Sequence, residues 1–272
     1  MSSRFTLGLC ICLISATLCG AAHPLHFAII IPSYNNENIC IWNLESCVRQ
    51  NYPYFTVFYV NDCSTDHTLE RVSAYVESQK LEDKCVIINN QVRKGALANV
   101  YSVISLLDPH MVVVLVDGDD RLMHNNVLNR LAQVYADKNI WMTYGSFETY
   151  PNPGGNINAP IPAAIIANHT LRRAPWVTSH LRTFYAKLFL RIRKKDLLYT
   201  TGKFFPTTWD MAIMLPMIEM ASPNHFKYMA EKLYLYNWGN PIAVNRVNPA
   251  LQRRVEQYIR NMPPYAPIPS LF

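Results

Sequence analysis

Three carboxylates fall within four residues at Asp117-Gly118-Asp119-Asp120, directly after the apolar run Met111–Val116. Carboxylates this close repel one another unless a cation lies among them. At the end of a buried strand they suit a hard divalent ion, Mg²⁺ or Mn²⁺, which could bridge to a diphosphate. A plain turn needs one or two Asp or Gly residues, not three Asp. A second polar block, Asn61-Asp62-Cys63-Ser64-Thr65-Asp66, also follows an apolar run. A helix N-cap explains Ser64 to Asp66 but leaves Asp62 unexplained. Further on, His180 and Arg182 could meet a diphosphate or an acidic acceptor as cations, or form an ordinary helix N-terminal turn. Trp176 could stack on a sugar face or belong to the core. No two His have zinc-ligand spacing, so no zinc site is expected.

The elements that must position these residues follow from periodicity. Phe27–Ile31, stopped by Pro32, reads as a buried strand, and Ile41, Leu44, Cys47 and Val48 mark a helix. Tyr54–Val60 is a second strand, with a helix carrying Leu69, Val72 and Val76 behind it. Cys85–Ile88 is a third strand, followed by a helix after Gly95. Met111–Val116 is a fourth strand, followed by a helix with Val127, Leu131 and Val134 and a strand at Ile140–Tyr144. This alternation predicts a doubly wound α/β fold, with ligands beyond the carboxyl ends of the strands. The clusters at 33–36, 61–66 and 117–120 should therefore converge on one crevice. Pro- and Gly-rich residues 151–163 predict a long loop at its rim. Helices are expected at Thr183–Ile192 and Met211–Met220, and the last twelve residues, with four Pro, predict an irregular tail.

The 272 residues are half hydrophobic and only 16% charged, which excludes a disordered chain. Nine Gly and no short repeat exclude collagen-like and low-complexity classes. The net charge of +6 fits anionic ligands or a membrane surface, and the dense run Arg191, Arg193, Lys194, Lys195 reads as a solvated helix face or a phosphate or membrane contact. No nucleic-acid partner is expected. After Arg4, residues Phe5–Ala22 are uncharged and mostly apolar, the layout of a secretory signal peptide or a membrane anchor. We therefore expect residues 1–22 to be a leader and 23–272 one domain, with 23–147 on the donor side and 148–272 on the acceptor side. Four Cys lie outside the leader, at 40, 47, 63 and 85, and they read as free thiols with no metal spacing.

Together these stretches resemble the family 2 glycosyltransferases of the GT-A fold. The resemblance rests on Ile29-Ile30-Ile31-Pro32-Ser33-Tyr34-Asn35-Asn36-Glu37, on Gln50-Asn51-Tyr52-Pro53, on Val60 to Asp66, and on Val116-Asp117-Gly118-Asp119-Asp120. It covers about residues 27–147. Trp209-Asp210 before an apolar helix is similar to the family's acidic base motif, with Trp209 where the family commonly has Glu. The Gln-x-x-Arg-Trp motif and multiple spans of processive synthases are absent from the sequence.

The resemblance implies a GT-A sheet flanked by helices, a helical acceptor-side region, and inverting transfer from a nucleotide-diphosphate sugar, by analogy a UDP-sugar. It implies that Asp62 accepts a hydrogen bond from the base, that Pro32, Tyr34 and Glu37 border the nucleoside, and that Lys94 lies near the base. Asp117 would hold the ribose or a metal-bound water, Asp119 would ligate Mn²⁺ or Mg²⁺, and Asp210 would be the general base. The segment Asn240 to Asn245 lies where related enzymes often carry a metal-binding His, and Asn245 is the candidate here. Two other readings compete: an inactive relative that binds carbohydrate or nucleotide, and a nucleotidyltransferase. The latter lacks a Gly-rich triphosphate loop. The acceptor would be a glycan, lipid or protein. The leader would direct the chain into the secretory pathway or out of the cell, or anchor it with its domain in the cytosol.

Overall fold

The computed structural model describes residues 24–240 and 247–272. Asn245 and the leader at 1–22 lie outside the described residues.

The first half follows the sequence pattern closely. Strand β1 (Phe27–Ser33) is followed by α1 (Cys40–Val48), β2 (Phe55–Asn61), α2 (Thr68–Ser78), β3 (Cys85–Asn89), α3 (Ala96–Ile104) and β4 (Val112–Leu115). β3, β2, β1 and β4 lie side by side in that order, all parallel. Every residue of β1 and β4 is buried, as expected of strands covered on both faces.

Beyond β4 the chain departs from a purely parallel sheet. The short β5 (Arg121–Leu122), α4 (Val127–Tyr135) and β6 (Met142–Tyr150) precede a loop that ends at α5 (Ala163–Ala167). Then come β7 (Arg182–Tyr185), α6 (Ala186–Phe189), α7 (Trp209–Ala221), β8 (Phe226–Asn237) and α8 (Pro249–Asn261). The complete order is β3-β2-β1-β4-β7-β6-β8-β5, and β7 runs antiparallel to both β4 and β6.

Two expectations need correction. Residues 183–185 form the central strand β7, not the start of a helix; Thr183, Phe184 and Tyr185 are β-branched or aromatic and fully enclosed. The only helix in 183–192 is the four-residue α6, so the basic run after it does not lie on a long helix face. One continuous sheet runs through the expected domain, and position 147/148 lies within β6. Helix α7 matches its expected position, and Met211–Ala221 are all buried, which makes it a core helix. Cys40, Cys47, Cys63 and Cys85 are free thiols. Among the described residues no helix is long and apolar enough to cross a membrane.

Candidate active site

The 117–120 turn is held by the elements around it. The Asn43 amide on α1 donates to the backbone carbonyls of Asp117 and Asp120, at 2.9 and 2.8 Å. Gly118 packs so closely on the end of β1 that a Cβ there would stand 2.7 Å from Ser33 Cβ and 2.8 Å from the Asn36 amide. No larger residue fits without moving that loop. Asp120 is buried and accepts hydrogen bonds from the Tyr234 hydroxyl and the Asn237 N–H, both 2.7 Å, which ties the turn to β8.

A crevice of about 470 Å³ opens at the carboxyl ends of β1, β2 and β4. Pro32, Tyr34, Asp62, Asp117, His180, Arg182 and Asp210 all line it, drawn from five different parts of the chain. Trp176 lines it too.

Arg182 occupies its centre. Its side chain is 1% exposed, with Nη2 3.0 Å from Asp117 Oδ2 and Nη1 3.5 Å from Asp210 Oδ2. Nη2 also lies 3.0 Å from His180 Nδ1. Trp209 lies beside the guanidinium, its ring centroid 5.0 Å from Arg182 Cζ. The departure from the family's Glu thus gives Arg182 an aromatic neighbour in place of a third carboxylate. Asp210 sits in the first turn of α7, one residue inside the helix start. Burial raises its pKa, against the pull of Arg182.

His180 is buried and stacked on Tyr234 at 4.6 Å, and burial, then the adjacent Arg182 charge, push its pKa well below the usual imidazole value, which disfavours its charged form.

Asp62 is fixed by the loop after β3. Its carboxylate accepts the N–H groups of Lys94 (2.9 Å) and Gly95 (2.8 Å) and the Asn90 amide (3.0 Å). Gly95 does this at φ 91°, a conformation that favours glycine. Burial would raise the Asp62 pKa, but these donors outweigh it and hold it below the ordinary range. Lys94 contributes its backbone here and is not a lining residue. Its neighbour Arg93 lines the crevice instead, stacked over Tyr34 at 3.7 Å. Glu37 is also not a lining residue; it accepts the His67 N–H at 3.0 Å and joins the β1 loop to α2.

The acidic turn fits a hard cation. Ligand atoms of Asp117, Asp120 and His180 all lie within 4.8 Å of one another. Asp119 is outside that group and takes the Asn240 amide. Burial, and then the Asp117 charge, push Asp119 up to about 6. Burial and the charges of Asp119 and Asp117 push Asp120 upward as well. A cation would relieve this repulsion. Arg93, Asn99, Thr207 and Tyr236 are also among the lining residues and were not singled out from the sequence, because side-chain direction in a loop leaves no periodic signal.

The sequence profile described as Glycosyl transferase family 2 matches residues 28–202, well over half the chain. The chain belongs to glycosyl transferase family 2. Among curated family relatives, glycosyltransferase GlyG of Streptococcus pneumoniae is 24% identical over 129 residues, 47% of this chain and 41% of GlyG. The UDP-Glc:alpha-D-GlcNAc-diphosphoundecaprenol beta-1,3-glucosyltransferase WfgD of Escherichia coli is 25% identical over 125 residues, 46% of this chain and 47% of WfgD. The match thus spans under half the length of each of these relatives. The fold resembles that of Staphylococcus aureus TarS 1-349 in complex with UDP, at a TM-score of 0.60 and 16% identity, over 88% of this chain and 67% of that one. It also resembles mannosyltransferase PcManGT of Pyrobaculum calidifontis in complex with GDP-Man and Mn²⁺, at 0.57 and 17%, over 88% and 65%. The family 2 chain therefore has the mixed α/β sheet of the GT-A fold.

Proposed function

We propose that the chain transfers a sugar from a nucleoside-diphosphate donor, a UDP-sugar first among them, to a hydroxyl of a glycan, lipid or protein acceptor, inverting the anomeric carbon. The observation that carries this reading is that Asp117 and Asp210 face the same Arg182 in one crevice that also contains Asp62. One carboxylate belongs to the donor-side motif and the other to the base motif.

In this reading Asp62, Tyr34, Pro32 and Arg93 border the nucleoside. Asp210 accepts the proton of the acceptor hydroxyl as that oxygen attacks the anomeric carbon and the bond to the diphosphate breaks. A single displacement of this kind inverts configuration, through a transition state of oxocarbenium character. Arg182 orients Asp210 through a charged contact in a water-poor site, where such a contact is stronger than in bulk solvent. Mn²⁺ or Mg²⁺, held by Asp117 and Asp119, would neutralise charge on the leaving diphosphate. Residues 5–22 serve as an export signal or anchor; N-terminal sequencing of the mature chain distinguishes the two.

The test is nucleotide release from a panel of UDP-, GDP- and dTDP-sugars, with Mn²⁺ and with chelator. The reading expects metal-stimulated release of one nucleotide. Tight nucleotide binding with no release from any donor would favour an inactive binding module.

A further inference from the structure

A second cavity lies apart from the one with the carboxylates. It measures about 690 Å³ and opens between the turn after α5 and the last turn of α8. Asn168, His169, Arg173, Gln257, Arg260 and Asn261 are among its lining residues, and no Asp or Glu is.

Two acids that pair with its lining arginines are already engaged. Glu219 holds Arg172 through two hydrogen bonds of 2.7 and 2.8 Å. Glu256 takes Arg260 Nε at 2.8 Å. Arg260 Nη1 also donates to the carbonyls of Arg172 and Ala174, so that guanidinium is a fixed part of the wall. Arg173 is different: it is exposed, and no described carboxylate pairs with it. Residues 168–174 and 249–262 together carry five Arg against one acid, Glu256.

This cavity neighbours the catalytic crevice along the chain and along α8. Gln252 lines the crevice and Gln257 lines the cavity, five residues apart on one helix, about 7.5 Å along its axis. Trp176 and Arg173 make the same link on the facing segment. The two openings share α8 and the segment 173–176.

We propose that the cavity is a distal acceptor subsite that takes a carboxylate- or phosphate-bearing unit of an anionic glycan; this rests on the glycosyl-transfer reading above. A neutral sugar would satisfy the three amides but leave Arg173 without a counter-charge. An anionic group supplies that charge, and the guanidinium fork matches both carboxylate and phosphate oxygens.

The test is fluorescence anisotropy of the full chain with three labelled probes at fixed ionic strength: hyaluronan hexasaccharide, a phosphorylated oligomannose, and neutral chitohexaose. One anionic probe should bind at least tenfold tighter than chitohexaose, and which one identifies carboxylate or phosphate as the ligand. Arg173→Glu should remove at least tenfold of that affinity, and Arg173→Ala part of it. Lys138→Glu, an exposed charge reversal beyond α4, should change it less than twofold. UDP binding, unchanged in every variant, reports that each is folded. Equal binding of the neutral and anionic probes overturns the proposal. So do equal effects of Arg173→Glu and Lys138→Glu, which would mean a diffuse field. Capture of phosphatidylglycerol vesicles through Arg173 in place of the glycans also overturns it. Failure to release nucleotide from any donor counts against glycosyl transfer itself and leaves the glycan-binding arms readable on their own.

Discussion

Arg182 Nη1 lies 3.5 Å from Asp210 Oδ2, in a side chain that is almost fully enclosed. The same guanidinium meets Asp117 at 3.0 Å. Removing one partner from a buried charge group leaves the others uncompensated, which costs about 3–5 kcal/mol. We expect Arg182→Met to lose stability of that order at pH 8. Urea denaturation at that pH measures it. An unchanged midpoint at pH 8 would mean that the three side chains are not coupled.

Asp210→Asn keeps shape and polarity but cannot take a proton. Turnover should fall about 10²–10⁴-fold, with nucleotide affinity within about twofold of wild type. Asn cannot carry the charge that faces Arg182, so a merely structural Asp210 would show as lost stability with turnover per folded molecule unchanged. Steady-state kinetics beside UDP titration separates the two roles.

In the metal-free protein the Asp119 contribution to stability should fall as pH rises through its range. The folded pKa, pushed up to about 6, exceeds the unfolded value of about 3.9, so the folded state holds more protons between them. That contribution is most favourable below about pH 4, falls towards pH 6 and is level above. Asp119→Asn should flatten that slope and raise the melting temperature at pH 7, while abolishing Mn²⁺-dependent stabilisation by UDP. Thermal melts from pH 4 to 8, with and without Mn²⁺, read both effects. A slope that survives in Asp119→Asn assigns the titration elsewhere.

Gly118→Ala should be destabilising by about 1–3 kcal/mol, because the new methyl meets the Ser33 Cβ at 2.7 Å in a turn that cannot retreat from Asn43. Chemical denaturation checks the size. A neutral effect would show the β1 loop to be compliant.

The donor-side half was legible because its strands are continuous apolar runs and its helices carry one clear stripe. The rest was hidden for identifiable reasons. Strand β8 pairs with β6 through register shifts at Gly145, Ser146 and Phe147, which break the two-residue alternation that would have marked it. Strand β7 is four residues long, too short to carry a period. Asp62, Asp117 and Asp210 could be picked out because each stands beside an apolar element. The place of Arg93, not Lys94, in the lining and the lowered pKa of His180 depend on side-chain direction and enclosure, which one-dimensional spacing does not contain.

Asp62 has a consequence for recognition kinetics. Its two oxygens are already engaged by Lys94, Gly95 and Asn90, so the segment from 90 to 95 is in place before any nucleotide arrives. This end of the crevice is preorganised: little ordering entropy is charged to the ligand on entry. Nucleotide capture should therefore proceed as a single encounter step without a slow isomerisation. Discrimination among bases should then appear in how long each stays, not in how fast it arrives.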